Sequence, residues 1–256
     1  MHQLETKNLT MAFGGNTAID NIDMSVEEGE IRGLIGPNGA GKTTFFNACS
    51  GRHPVTSGEI LFRGKRISGL KPHEIARRGL VRTFQHVTLF KSFSVVKNVM
   101  AGNYLHAQHS YFGSLLRTPK TMRAEAASER RAREILEFVG LGGIADKTAS
   151  SLPHGHQKAL GIAIALAAEP HLLLLDEPCA GMNNDESRQM IDLVRRIRDT
   201  GVSVMLIEHD MKVVMGLCDK ITVLNFGNII AEGSPAEVRE HPEVREAYLG
   251  SQANVT

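Results

Sequence analysis

A glycine-rich segment carries the strongest chemical signal in the chain. It follows the pattern G-x-x-x-x-G-K-[ST], in which glycines let the backbone wrap closely and aim N–H groups at phosphate oxygens. Lys42 is expected to reach the β- and γ-phosphates, and the Thr43 hydroxyl to ligate Mg²⁺. The predicted phosphate-binding residues are Gly36, Pro37, Asn38, Gly39, Ala40, Gly41, Lys42, Thr43 and Thr44. The alternative is a glycine-rich loop without function.

A second segment ends in two acidic residues, Leu172-Leu173-Leu174-Leu175-Asp176-Glu177. At the carboxyl end of a strand, Asp176 can hold Mg²⁺ directly or through water, and Glu177 can polarise an attacking water as a general base. Alone, such a pair is weak evidence, because acidic residues also cap helices. Together with the phosphate loop, this acidic pair indicates a magnesium-dependent nucleoside triphosphatase.

The elements around these motifs indicate an α/β protein. Residues 30–35 are predicted to form a strand that enters the glycine-rich turn, and residues 42–50 the following helix. A helix after the loop would direct the positive, N-terminal end of its dipole at the phosphate site. The apolar runs 172–175 and 203–207 are typical of central parallel strands that are buried on both faces.

Other segments complete the predicted architecture. Residues 221–224 and 228–231 flank Gly227 and indicate a hairpin. Ser234-Pro235-Ala236-Glu237 is a capping box that predicts the start of a C-terminal helix. Between about 92 and 168 strand signals are absent, and Arg123–Val139 has a helical pattern. We interpret this region as an inserted helical lobe whose interleaved arginines and glutamates form a solvated face; the alternative is a basic patch.

Bulk composition excludes several classes of protein. The chain has 256 residues, 42% hydrophobic and 22% charged, with a formal net charge of +1. This balance gives no electrostatic case for binding nucleic acid or an anionic membrane.

Cys49, Cys179 and Cys218 form no CxxC, so we expect reduced thiols. No signal peptide is evident, and the apolar stretch 159–168 is shorter than the about 20 residues of a bilayer span. We therefore expect a buried helix there and a membrane role only through partners.

Several segments together resemble the ATP-binding-cassette (ABC) ATPases over nearly the whole chain. Gln85, in Arg82-Thr83-Phe84-Gln85-His86, lies where that family has a glutamine that touches Mg²⁺ or the attacking water. His209 lies where the family has a histidine that contacts the γ-phosphate. Phe13 matches the aromatic residue that stacks on adenine; the alternative is a core aromatic. The resemblance thus implies catalytic roles for Glu177, His209 and Gln85, and metal ligation by Thr43, Gln85 and Asp176.

The signature segment departs from the common Leu-Ser-Gly-Gly-Gln of that family. Here it is Leu152-Pro153-His154-Gly155-His156-Gln157, and proline removes a hydroxyl and a backbone N–H. Pro153 can open a helix at its first turn, and His154 or His156 could donate instead. We expect Leu152, His154, Gly155 and His156 to contact nucleotide in the partner's site. A metal pair made by the two histidines lacks an evident third ligand.

A closer resemblance is to the branched-chain (hydrophobic) amino acid uptake ATPases, in particular the first of that system's two ATPase subunits. It is carried by residues 81–90, by 176–183 and by the tail 232–238. In residues 176–183, Asn183 replaces the usual aspartate and can still hydrogen-bond across a dimer interface. Urea, amide and aromatic-acid uptake are associated with the same subfamily, so the resemblance does not fix the solute.

The resemblance implies the fold class α/β, with a P-loop ATPase core, an antiparallel β subdomain and an inserted helical subdomain. One nucleotide-binding domain spans 1–256, with the core at 1–91 and 169–256 and the helical subdomain at about 92–168. The expected cofactors are ATP and Mg²⁺. The expected partners are integral-membrane permease subunits, a second ABC ATPase subunit and, indirectly, a solute-binding protein, at the cytoplasmic face of the cell membrane. The alternatives are a non-transport ABC ATPase acting on nucleic acid or ribosomes, and a catalytically weak regulatory subunit.

Overall fold

The computed structural model describes residues 2–83, 89–102 and 119–252. Two compact units form, one from Met1–Arg82 with His171–Thr256 and the other from Thr83–Pro170. The strands in chain order are β1 His2–Phe13, β2 Asn16–Glu27, β3 Ile31–Ile35, β4 Ser57–Phe62, β5 Lys65–Arg66, β6 Leu80–Arg82, β7 Leu172–Asp176, β8 Ser203–Ile207, β9 Lys220–Asn225 and β10 Asn228–Gly233.

The helices complete the described part of the chain. In order they are α1 Lys42–Cys49, α2 Pro72–Arg77, α3 Val95–Gly102, α4 Pro119–Phe138, α5 His154–Leu166, α6 Asn184–Asp199, α7 Met211–Leu217, α8 Pro235–Glu240 and α9 Pro242–Gln252. The predicted capping box at the start of α8 is confirmed, because the Ser234 side chain accepts from the Glu237 N–H and the Glu237 carboxylate accepts from the Ser234 N–H.

Within the described residues, the main sheet of the first unit has six strands in the order β10-β9-β3-β8-β7-β6. All neighbouring pairs are parallel except β9 with β10. Every residue of β3, β7 and β8 is buried, which for β7 and β8 confirms the prediction of strands covered on both faces. The predicted hairpin around Gly227 is confirmed as the antiparallel β9–β10 pair.

The predicted antiparallel β subdomain is the second sheet of this unit, with the strand order β2-β1-β4-β5. Its apolar residues share one hydrophobic cluster with α1 and with β7 of the main sheet. Leu4 and Ile19 of the antiparallel sheet, Phe45 and Phe46 of α1, and Leu174 of β7 all belong to that cluster and are fully buried. Helix α1 therefore packs into the core that joins the two sheets, which fixes the helix at the end of the phosphate loop.

The second unit is helical in its described residues, apart from one isolated antiparallel bridge between Ser94 and Thr148. Helix α3 packs so tightly on α5 that a Cβ on Gly102 would lie 2.3 Å from the Ile164 carbonyl oxygen. The run predicted to be a buried helix is confirmed, since α5 buries Leu160 and Ala163 completely. No helix in the described ranges is long and apolar enough to cross a bilayer.

The charged face predicted for the inserted lobe is confirmed as a solvated one. On α4, Arg133 pairs with Glu129 and with Asp146, each at 2.8 Å, and all three side chains are exposed. Hydrogen bonds from Asp146 and Glu129 raise the pKa of Arg133 above its ordinary value. Arg131 also pairs with Glu134 at 3.3 Å, so arginines and carboxylates are interleaved on this face.

The thiols of Cys49 and Cys218 are buried in the first unit, and burial raises the pKa of each to about 12. An unfolded cysteine ionises near pH 8.5. Between these values the unfolded chain releases protons that the folded protein retains, so rising pH favours unfolding. The free energy of unfolding should fall by up to about 1.4 kcal/mol per pH unit for each thiol.

We therefore predict that Cys218→Ala reduces the slope of unfolding free energy against pH by about 1.4 kcal/mol per unit between pH 9 and 11. Urea denaturation under reducing conditions measures this slope. Val214→Ala is the matched control, because Val214 is a fully buried neutral neighbour that also faces Gly33. That variant should lose stability equally at every pH. Equal slopes for wild type and Cys218→Ala would contradict the assignment.

Candidate active site

The phosphate loop connects β3 to α1, as its predicted position required. Two of its glycines have no substitute. Gly36 has φ 148°, and a Cβ there would lie 2.0 Å from the Leu224 carbonyl oxygen. Gly41 has φ 105°, and its Cβ would lie 2.5 Å from the Ala18 carbonyl oxygen. The backbone of β9 and of β2 therefore lies too close to these two positions for any side chain.

The loop is held from outside by the C-terminal part of the chain. In the β9–β10 turn, the Gly227 N–H donates to the Ala40 carbonyl (3.1 Å), and the Asp20 N–H donates to the Gly227 carbonyl (2.9 Å). Tyr248 of α9 reaches the first glycine of the loop. Burial raises the pKa of Tyr248 to about 12, and a hydrogen bond with the Gly36 backbone acts in the opposite direction. Sequence reasoning assigned no role to Tyr248.

The predicted phosphate-binding lysine lies inside its own loop. Lys42 is buried, and its Nζ donates to the Gly36 carbonyl (2.7 Å) and the Pro37 carbonyl (2.9 Å). Burial lowers the pKa of Lys42, while the charges of Glu177 and Asp176 act to raise it. The amine, the loop and the acidic pair therefore share one electrostatic environment. Thr43 is exposed at the start of α1 and Thr44 is half-buried beside it.

The predicted metal ligand Asp176 is the last residue of β7 and is bound by an arginine. Arg82 Nη2 lies 2.7 Å from Asp176 Oδ2, and these side chains are only 4% and 7% exposed. Arg82 ends the neighbouring parallel strand β6. Sequence reasoning missed this residue. Its signal would have been a charged side chain after the apolar pair Leu80-Val81, at the first position of the segment that contains Gln85.

The structure brings Glu177 and His209 together, although 32 residues separate them in the chain. His209 Nε2 lies 2.8 Å from Glu177 Oε1. The Glu177 N–H donates to the Ile207 carbonyl (2.9 Å), which ties the turn after β7 to β8. Glu177 has φ 49°, a left-handed backbone conformation that is strained for a non-glycine residue. Such strain is found where a side chain has to be held in one direction.

The Glu208 side chain binds the backbone near Glu177 and at His209. The sequence had given it no role. Its buried carboxylate accepts from the Cys179 N–H at 2.6 Å and from the His209 N–H at 3.1 Å. The first bond holds the loop after Glu177, and the second holds the residue that faces Glu177. The only signal in the sequence was its place, directly after the apolar run 203–207.

Phe13 ends β1 and is 47% exposed, with its ring edge-on to His53 at 5.5 Å between centroids. The alternative of a core aromatic is therefore wrong. Its accessible ring is suited to stacking on a planar base, and that role stays a prediction. Gln85 lies outside the described residues.

The signature residues lie at the start of α5 in the second unit. Pro153 is the N-cap and α5 begins at His154, so the proline lies just before the helix instead of in its first turn. Leu152 is buried, and its carbonyl accepts from the Gln157 side chain at 2.8 Å. His154 and His156 are exposed, and Gly155 between them is half-buried. The side chains of the two histidines are thus accessible to a ligand.

Asn183 has a clear structural role as the N-cap of α6. Its side-chain oxygen accepts from the Asp185 N–H (2.9 Å) and the Glu186 N–H (3.0 Å), and Glu186 completes a capping box. Asparagine caps helices as well as aspartate does. The exchange of the usual aspartate therefore keeps this helix start intact.

A glycine-formed phosphate loop before a helix, with acidic residues at the neighbouring strand ends, defines a P-loop nucleotide-binding ATPase. Comparison with known proteins gives the family. The model of the ABC transporter family matches residues 19–180. The model of the branched-chain amino acid ATP-binding cassette transporter matches residues 228–254, which include Tyr248. The chain therefore belongs to the ABC transporter family, as an ATP-binding cassette that hydrolyses ATP.

Relatives and solved structures agree with this assignment. The chain is 43% identical over 248 residues to the high-affinity branched-chain amino acid transport ATP-binding protein LivG of Salmonella typhimurium, covering 96% of this chain and 97% of the relative. It is 42% identical to BraF of Pseudomonas aeruginosa, with the same coverage. The ADP conformation of MJ1267, an ATP-binding cassette of an ABC transporter, matches with a TM-score of 0.85 and 31% identity, covering 98% and 99% of the two chains.

Glu208→Gln should lower kcat for ATP about tenfold while changing KM less than about twofold. The amide presents a donor where a backbone N–H needs an acceptor, and a hydrogen bond to a charged group contributes about 1.5–3 kcal/mol. Steady-state ATPase kinetics measure both constants.

Glu237→Gln provides a matched control for this variant, because Glu237 also accepts a backbone N–H but caps helix α8 and has no contact with Glu177 or His209 among the described hydrogen bonds. It should leave kcat unchanged. A Glu208→Gln protein with normal kcat would show that the carboxylate does not align Glu177 and His209.

Proposed function

We propose that this chain is the ATPase subunit of an importer for branched-chain or other hydrophobic amino acids. The observation that carries the proposal is the full-length similarity to LivG and BraF, whose names describe branched-chain amino acid transport. The match of residues 228–254 to a branched-chain cassette model supports the same solute class. The proposed location is peripheral, at the cytoplasmic face of the cell membrane, bound to permease subunits.

Magnesium is the metal that the donor set of this site fits. Thr43 offers an exposed hydroxyl and Asp176 a carboxylate, both oxygen ligands of the kind that Mg²⁺ prefers. Mg²⁺ is commonly bound by one or two such protein groups together with phosphate oxygens and waters. When bound, the metal would neutralise charge on the phosphates. Gln85 is proposed as a further contact to it.

The remaining side chains divide the catalytic work. Lys42 is proposed to leave its two carbonyl partners for the phosphates, since an ammonium near an acidic pair and a phosphate loop is a suitable counter-charge. Glu177 is proposed to orient and deprotonate the attacking water. His209, at 2.8 Å, would hold the Glu177 carboxylate in place and contact the γ-phosphate. Phe13 would stack on the adenine.

A second ATPase chain is proposed to complete each site. Leu152, His154, Gly155 and His156 would face the nucleotide bound by the partner cassette, with N–H groups at the start of α5 directed to phosphate. Closure of the two chains would exclude water, and hydrolysis would reopen them. The resemblance to the first of two paired ATPase subunits favours a heterodimer.

The contact with the permease is proposed for residues 88–98, of which Thr88 lies outside the described residues. Phe90 and Phe93 are 56% and 48% exposed. Their rings stack with 5.5 Å between the centroids and an interplanar angle of 27°. Asn98 is fully buried and binds the backbone of Phe90. Its Oδ1 accepts from the Phe90 N–H (2.9 Å) and its Nδ2 donates to the Phe90 carbonyl (3.2 Å). An exposed, stacked aromatic pair is suited to anchor a partner helix.

A tagged Glu177→Gln variant should capture the transporter from membranes of its own cell. This change keeps the shape of the side chain, removes the general base and should stall the closed state with Mg-ATP bound. After detergent extraction, integral-membrane proteins and a second ATPase should co-purify, identified by mass spectrometry. Lys42→Ala, which should not bind ATP, is the control for the ATP dependence of capture.

Capture of soluble partners alone, such as ribosomes, would overturn the transport assignment in favour of a non-transport ABC ATPase. The identity of a captured permease or binding protein would test the solute class. Transport of a solute unrelated to hydrophobic amino acids would retain the importer and reject the proposed substrate.

Phe90→Ala should reduce co-purification of the permease and solute uptake by about tenfold or more, as for an aromatic hot spot. Basal ATP hydrolysis by the isolated chain should stay normal. Met122→Ala is the control, since Met122 is an equally exposed apolar side chain of the same unit. A Phe90→Ala protein that assembles and transports normally would reject this contact.

A further inference from the structure

Arg82 and Asp176 form a buried ion pair at the adjacent ends of β6 and β7. Arg82 is paired in register with Leu174 of β7. Since side chains alternate along a strand, Leu174 and Asp176 face the same side of the sheet. Leu174 belongs to the hydrophobic cluster that contains Phe46 of α1. The ion pair therefore lies on the α1 side of the sheet, where the phosphate loop ends.

The guanidinium is held by α1 as well as by Asp176. Arg82 Nη1 donates to Asn47 Oδ1 at 2.7 Å and to Ser50 Oγ at 3.3 Å, while its Nη2 donates to Asp176 Oδ2 at 2.7 Å. The charge also lies 5.4 Å from the centre of the Phe46 ring. Arginine suits this place because its planar fork directs several donors at fixed angles. Lysine would offer one charge centre.

The geometry links Arg82 to the first helical residues after the loop. Asn47 follows Thr43 by four positions, so the two residues lie on the same face of α1. Arg82 thus connects the helix face that carries Thr43 to the carboxylate of Asp176. These two residues are the ones proposed above to ligate Mg²⁺.

Burial argues against a purely stabilising role. An ion pair with side chains only 4% and 7% exposed loses most of its hydration, and such pairs are often no more stable than apolar residues of the same size. A buried pair beside a reactive centre is better explained by the orientation it imposes. Oxygen ligands of metals are commonly held in this way by a second set of hydrogen bonds.

We propose that Arg82 is a positioning residue for the magnesium site: it holds Asp176 by Oδ2, so that Oδ1 is presented to the metal, and it ties that carboxylate to the Thr43 face of α1 through Asn47. This inference rests on the proposed role of Asp176 as a magnesium ligand. It assigns a function to a side chain that the family motifs leave aside.

The test is a magnesium titration of nucleotide binding, carried out in the Glu177→Gln background so that hydrolysis does not interfere. The readout is the ATP-induced rise in melting temperature as a function of free Mg²⁺. Arg82→Met should raise the half-saturating Mg²⁺ concentration about tenfold, the lower end of losses seen when a group that orients a metal ligand is removed. Arg82→Lys should give an intermediate value.

Asn47→Ala is the second variant, and it leaves both members of the ion pair in place. It should shift the magnesium requirement in the same direction by a smaller factor. Adding it to Arg82→Met should have little further effect, because both changes interrupt one connection. Arg188→Met is the matched control, since Arg188 forms an exposed pair with Asp185 on α6. It should leave the titration unchanged.

The outcomes separate this inference from the function it rests on. If the parent protein shows no magnesium dependence, the magnesium site itself is rejected. If the parent depends on magnesium and both Arg82→Met and Asn47→Ala keep its half-saturating concentration, Arg82 has only a structural role. A lower magnesium requirement in Arg82→Met would also overturn the inference, because it would mean that the guanidinium competes with the metal.

Discussion

Parallel alignment of β3, β6, β7 and β8 is the constraint on which the site depends. Parallel strands end at one edge of a sheet, so residues far apart in the chain meet there. The phosphate loop follows β3, and Arg82 ends β6. Asp176 and Glu177 lie at the end of β7, and Glu208 and His209 follow β8. The interiors of β7 and β8 are apolar and buried, and the polar residues that follow these strands lie at this edge.

Charges at that edge are paired with one another or with backbone groups. Lys42 donates to two carbonyls of its own loop, and Arg82 is bound to Asp176. Glu208 accepts two backbone N–H groups, and His209 lies against Glu177. Electrostatic interactions are stronger where water is excluded, and the buried Arg82–Asp176 pair is already oriented before a phosphate ligand binds. Lys42 is the exception, because it is proposed to exchange its two carbonyl partners for the phosphates.

The C-terminal segment gives the phosphate loop a support that the general motif does not contain. The β9–β10 turn binds Ala40 through Gly227, and Tyr248 of α9 contacts Gly36. Residues 228–254 also match the branched-chain cassette model. A tail that is characteristic of one transporter class is thus in direct contact with the part of the site that is common to the whole family.

The sequence by itself determined the phosphate loop, the acidic end of β7, the central strands and the capping box before α8, because each depends on local residue types and spacing. It also placed His209 through its resemblance to a family. Only the tertiary structure decided the partners of these residues. The Arg82–Asp176 pair, the two bonds of Glu208 and the contact of Tyr248 with Gly36 join residues that are distant in the chain. Such contacts follow from strand order and helix packing, which leave no periodic signal in the residues themselves.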